Sequence, residues 1–331
     1  MRHTLASILL TLSLHLPAIT SASTAPEPEA LPLVIWHGLG DTFDNPNLQA
    51  LTDLYTTLYP SADTHIIALA DSHNADRTAT FLGQVPTHID LVCSQLLNLP
   101  PPFSTSRLNL LGLSQGGQFL RALVETCPLP HPPATLMTFG SQHNGIWRFL
   151  SECDTFDWAC RTASSLLQKN KWSPWAQKNI VPAQYFRDPA DLDTYLLNSG
   201  FLADVNNERP ESRNETYAKN LANLERFVMF VFEDDTKVFP KESGWFDDVY
   251  EETGEVVKLR DRDLYKEDWL GLKKLDKKGG LVFETLPGDH MRLEEEVVFG
   301  AFVTYFSPPE LKPTSEQEGH ELEKEVGEEE L

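Results

Sequence analysis

Apolar residues in this chain cluster in short runs separated by amphipathic stretches. Leu33-Val34-Ile35-Trp36 is such a run, and residues 64–70, 108–113, 134–139, 227–232 and 281–283 are others. Runs of this length, rich in leucine, β-branched and aromatic side chains, suit strands buried on both faces. Residues 48–59, 81–99, 116–126 and 294–306 have the spacing and length of helices. The helix over 116–126 stops at Cys127-Pro128, because proline cannot continue the hydrogen-bond ladder. Strands alternating with helices predict an α/β fold, with a mostly parallel central sheet flanked by helices.

The rhythm changes over residues 146–223. Trp147, Trp158, Trp172 and Trp175 stand there among prolines and polar residues. This pattern predicts a helical, irregular insertion, or cap, within a single domain spanning 31–306. Both ends of the chain differ from this domain. Arg2 precedes an apolar stretch over 5–19, followed by Ser21-Ala22-Ser23. That is the order of charge, apolar segment and small residues in a signal peptide, here 1–23, and it is too short to span a bilayer comfortably. No later stretch reads as a transmembrane helix. Residues 310–331 hold nine acidic and two basic residues with almost no large apolar ones, so this tail cannot bury enough surface to fold.

The formal charge of −22 argues against nucleic acid as a partner, since phosphates need a basic surface. An exported chain with four cysteines is expected to carry two disulfides. Cys153 and Cys160 would close a short local loop, which leaves Cys93 with Cys127. Asn214-Glu-Thr216 is a glycosylation sequon. No P-loop, His-Glu-x-x-His or Cys-x-x-Cys is present, and neither a metal nor a cofactor is expected.

The sharpest chemical signal is Gly112-Leu113-Ser114-Gln115-Gly116. An apolar strand precedes it and a helix follows at once, as in the turn that exposes a nucleophilic serine. A serine hydroxyl is a weak nucleophile. It needs a base within hydrogen-bond reach, and the base needs an orienting partner. In such folds the order along the chain is serine, acid, histidine. Among ten histidines, His37 precedes the serine, His143 precedes the good acids, and His320 lies in the tail. His290, in a Gly-Asp-His turn, is the expected base. Asp235, just after the run ending at Phe232, is the expected acid, with Asp234 its neighbouring rival. The backbone N–H groups of Gln115 and of Leu39, in the His37-Gly-Leu-Gly-Asp41 turn, are candidate oxyanion donors.

With these residues in place, the chain resembles the palmitoyl-protein thioesterase family. The likeness rests on Leu33-Val-Ile-Trp-His-Gly-Leu-Gly-Asp41, Leu113-Ser-Gln-Gly-Gly-Gln-Phe-Leu-Arg121, Gly140-Ser-Gln-His-Asn-Gly145, Phe201-Leu-Ala-Asp-Val-Asn206 and Gly288-Asp-His290. The resemblance implies an α/β-hydrolase that removes long-chain acyl groups from S-acylated cysteines, with S-acylated proteins, peptides and acyl thioesters as partners. It implies the secretory pathway, with a lysosome or vacuole as destination, or secretion. It places the nucleophile on Ser114, the base on His290 and the acid on Asp235 rather than Asp234. The oxyanion donors fall on Leu39 and Gln115, the disulfides on Cys93–Cys127 and Cys153–Cys160, and a glycan on Asn214. Phe43 and Asp44 stand where some relatives have adjacent cysteines. Aromatics of 146–223 are expected to help line an acyl groove. A lipase or carboxylesterase acting on oxyesters through the same three residues is the alternative.

Overall fold

A computed structural model describes residues 30–148, 161, 167 and 170–307. The predicted signal peptide, the acidic tail, Cys153, Cys160 and Trp158 lie outside the described residues. Six strands form one parallel sheet: β1 (Leu33–Trp36), β2 (Thr64–Ile66), β3 (Asn109–Leu113), β4 (Thr135–Phe139), β5 (Arg226–Phe232) and, after a small ribbon of β6 (Asp248–Val249) and β7 (Val256–Val257), β8 (Leu281–Leu286). Their order is β2-β1-β3-β4-β5-β8, and every neighbouring pair is parallel.

Successive strand residues point to opposite faces, and the two cores follow that alternation. Val34, Trp36, Leu110, Leu136, Phe227 and Met229 pack on one side. Leu33, Ile35, Leu111, Met137, Val228 and Phe230 pack on the other. The strands are mostly apolar along their whole length because both faces are covered. On the second side lie α1 (Pro46–Leu58) and the terminal helix Glu295–Tyr305, whose Tyr55 and Phe302 rings meet edge to face at 5.5 Å. On the first side lie α3 (Val85–Asn98) and α4 (Gln115–Thr126), joined by the Cys93–Cys127 disulfide. Closing a loop of that size removes enough freedom from the unfolded chain to stabilise the fold by about 4 kcal/mol.

The helix expected over 81–99 forms over Val85–Asn98 as α3, and a helix that the spacing does not predict precedes it. α2 (His73–Phe81) ends before Gly83, whose φ of +126° breaks the path, and α3 restarts with a proline in its first turn. The strand expected over 64–70 pairs only over Thr64–Ile66, while β8 runs three residues beyond the predicted 281–283. Between β4 and β5 the described cap residues form short helices, the longest being Leu192–Asn198 and Glu215–Ala222. Asn214 caps the latter through its side-chain oxygen, 2.9 Å from the Thr216 N–H, and is exposed.

Candidate active site

The strand order reverses between β1 and β3, with β2 outside one and β4 outside the other. In parallel sheets, sites form outside the carboxyl ends of strands at such a switch. Ser114 directly follows β3 there. Its φ of 51° and ψ of −121° are a strained turn for a residue with a side chain. Two glycines allow this turn. A Cβ on Gly116 would lie 2.2 Å from the Trp36 carbonyl oxygen, and one on Gly112 would lie 2.1 Å from the Gly117 Cα. Strand, helix and β1 can therefore converge on Ser114 only when those positions lack side chains.

His290 follows β8 and Asp235 follows β5. His290 Nε2 stands 2.9 Å from Ser114 Oγ, and His290 Nδ1 stands 2.7 Å from Asp235 Oδ2. Side-chain exposure is 11% for His290 and 1% for Asp235. The other Asp235 oxygen accepts the Lys237 and Val238 N–H groups, each at 2.8 Å. Its carboxylate is thus fixed at one oxygen and aimed with the other. Asp234 is exposed, and its N–H donates to the Gly288 carbonyl at 3.0 Å, so the neighbour clasps the two loops together. Asp289 does likewise: it accepts the Thr236 N–H at 2.9 Å and the His290 N–H at 2.7 Å. The His290 N–H and then the Thr236 donors hold its carboxyl below the ordinary range.

The Gly38 backbone packs against Ser114, where a Cβ would lie 3.1 Å from the Ser114 Cβ. The turn bearing Leu39 therefore borders Ser114. The Gln115 side chain points elsewhere, accepting the Tyr185 hydroxyl at 2.9 Å and donating to the Thr80 carbonyl at 3.2 Å. Its main-chain N–H stands at the first position of α4, where a helix has no internal partner for it.

The other two histidines near glycine turns have structural surroundings. His143 is fully buried, with ring centroids 5.0 Å from Phe227 and 5.2 Å from Phe246. Burial, then the nearby Arg121 charge, drives it well below its ordinary pKa, so it stays neutral. His37 Nε2 approaches Asp76 Oδ2 at 3.0 Å, both side chains being fully buried. Asp76 also accepts the Leu69 N–H at 2.6 Å and the Phe43 N–H at 2.8 Å. Burial raises the Asp76 carboxyl, but His37 and these two donors outweigh it and hold the group below its usual value.

Asp76 thus anchors the residue preceding the Gly38-Leu39 turn from a distant helix. No motif marks Asp76 in the sequence. Asp76→Ala would strand these donors in the interior. We expect it to cost about 3 kcal/mol of stability and to lower turnover roughly tenfold by loosening the turn. Urea unfolding and steady-state kinetics test this, and a variant matching the wild type in both would refute the anchoring role.

Three of the sequence segments that carry the family likeness meet away from the reacting atoms. Buried Arg121 pairs with Glu125 at 2.8 Å and donates to Asn206 Oδ1 at 2.9 Å and the His143 carbonyl at 3.2 Å. Burial pushes the Glu125 carboxyl up to about 7 although Arg121 opposes it. Asn144 donates to Asp248 Oδ1 at 2.7 Å, and Arg187 of the cap pairs with both Asp248 and Glu208. These polar groups join cap, sheet and ribbon.

A cavity of about 770 Å³ opens on Ser114 and His290. It is lined by the loop after β1, by α1 and by residues between 290 and 298, with no described residue of 146–223 among its lining. Of the described tryptophans of 146–223, none lines this cavity. Trp172 packs within the cap, 5.4 Å from Phe186 and 6.2 Å from Tyr195, and Trp147 lies 6.4 Å from Phe239. Among the described residues no helix is long and apolar enough to cross a membrane.

Residues 32–290 match the family model described as palmitoyl protein thioesterase. Palmitoyl-protein thioesterase 1 of Caenorhabditis elegans is 34% identical over 291 residues, covering 87% of this chain and 95% of that protein. A palmitoyl-protein thioesterase-dolichyl pyrophosphate phosphatase fusion of Schizosaccharomyces pombe is also 34% identical over 291 residues, but this chain spans only 46% of its length. The lysosomal thioesterase PPT2 of Rattus norvegicus is 27% identical over 269 residues, covering 81% of this chain and 84% of that protein. The family match extends from β1 to His290, so it includes every strand end that supplies a side chain to this site, and the chain belongs to the palmitoyl protein thioesterase family.

Proposed function

We propose that this protein hydrolyses long-chain acyl thioesters on S-acylated cysteines, with Ser114 as nucleophile, His290 as base and Asp235 as the orienting acid. The observation that carries this reading is the unbroken chain from Ser114 Oγ through both ring nitrogens of His290 to Asp235 Oδ2. Ser114 Oγ attacks the thioester carbonyl while Nε2 takes its proton. Asp235 holds the proton on Nδ1, so that Nε2 presents a lone pair. The N–H groups of Leu39 and Gln115 receive the developing oxyanion. As the C–S bond breaks, the thiolate takes the proton from the imidazolium. Water, deprotonated by the same nitrogen, then attacks the acyl-serine and releases the fatty acid.

Family membership favours thioesters over the oxyester alternative, which would use the same residues. The name of the rat relative supports a lysosomal destination within the secretory pathway. The exposed Asn214 sequon fits that route, since its side-chain oxygen makes the helix cap and the glycan would attach at the nitrogen.

A long-chain acyl fluorophosphonate should label the protein once, on the peptide containing Ser114. A palmitoyl thioester should turn over faster than the oxyester matched to it. Labelling elsewhere, or preference for the oxyester, would overturn the assignment.

A further inference from the structure

We propose that the cavity between α1 and the segment after His290 receives the leaving-group arm of the thioester, namely the polypeptide bearing the S-acylated cysteine, and that its acidic rim selects basic residues beside that cysteine. This rests on the reading of Ser114 as nucleophile and His290 as base.

The direction of bond breaking carries the assignment. When the C–S bond breaks, the sulfur leaves with the electron pair and must find the proton on His290 Nε2. The arm beyond the sulfur therefore lies on the imidazole side of Ser114, and the acyl arm departs from the carbonyl the other way. The cavity is on the imidazole side: His290, Met291, Leu293 and Glu295 form one wall, and α1 forms the facing one. Water for the second step must also reach Nε2, and it can follow the departing thiol through the same opening.

The lining suits a polypeptide. Leu48, Leu51, Leu54, Leu113, Leu293 and Val298 supply an apolar floor. Asp41, Asp53 and Glu295 add carboxylates, while no lysine or arginine among the described residues lines the cavity. Asp41 already accepts the Thr42 N–H at 2.8 Å and the Asn45 amide at 2.6 Å, which keeps its charge in place. Asp53 and Glu295 are exposed. An alkyl chain gains nothing from such a rim, whereas a cationic peptide is steered towards it.

The test uses three palmitoyl thioesters: an S-palmitoyl peptide with flanking lysines, the same peptide with flanking glutamates, and palmitoyl N-acetylcysteamine as reference. At low salt the wild-type kcat/KM should favour the lysine peptide by about tenfold, a preference that shrinks as salt rises. The double variant Asp53→Lys, Glu295→Lys should abolish or reverse the ratio between the two peptides. Leu51→Trp, which fills the floor, should raise KM for both peptides relative to the reference. An unchanged peptide ratio in the double variant overturns the proposal. So does a Leu51→Trp variant that shifts acyl chain-length preference on the N-acetylcysteamine series, because the cavity would then hold the acyl arm. Absence of turnover on all three with Ser114 unlabelled defeats the thioesterase reading, and this inference with it. Brisk turnover without charge preference defeats the inference alone.

Discussion

Ser114→Ala should lower thioester turnover by about 10⁴- to 10⁶-fold while leaving the folded protein as stable as the wild type. Ser114 lies at the start of α4, but its side chain makes no cap hydrogen bond, and its polar contact is with His290 Nε2. The lost methylene-linked hydroxyl therefore supports no element of the fold. The unusual φ of 51° is imposed by the packing around Gly112 and Gly116, and alanine meets the same strain as serine. Removing the proposed nucleophile leaves the proposed oxyanion donors and the cavity intact, so substrate should still bind, with some residual hydrolysis by water. Single-turnover assays with a palmitoyl thioester, together with thermal unfolding, check both halves. Activity within tenfold of the wild type would mean that another group makes the acyl bond. A large fall in melting temperature would mean that the elbow depends on the hydroxyl itself.

Much of this site was legible in the sequence because its parts stand at the ends of apolar runs. β1, β3, β4 and β5 are buried on both faces, so each reads as a mostly hydrophobic segment whose end is sharp. The glycine turn after β1 and the elbow after β3 follow directly. What was illegible has a common cause. α2 buries Asp76, Thr80 and Phe81, so its inward face is partly polar and gives no apolar stripe. The helix was missed, and with it the carboxylate under His37. Sequence spacing likewise could not say which wall of the cleft would be hollow, because that depends on how far α1 stands from the residues after His290. The choice between Asp234 and Asp235 needed the family likeness; geometry then separates them by burial and by aim.

That separation yields a second large effect. Asp235→Asn should lower kcat by roughly 10⁴-fold, whereas Asp234→Asn should stay within about threefold of the wild type. The reason lies in the hydrogen bonds already made by Asp235. Its Oδ1 accepts two main-chain N–H groups, from Lys237 and Val238. An asparagine there must keep its carbonyl oxygen towards those donors, since an amide nitrogen cannot accept them. Its NH₂ is then forced towards His290 Nδ1, where Oδ2 stood at 2.7 Å. Nδ1 must accept, the ring proton moves to Nε2, and Nε2 presents an N–H to Ser114 Oγ instead of a lone pair. The imidazole remains in place in the tautomer that cannot act as base. Asp234, exposed and joined to the Gly288 loop through its main chain, has no such consequence. Steady-state turnover of both variants decides the matter: equal losses, or an active Asp235→Asn enzyme, would remove Asp235 from the mechanism.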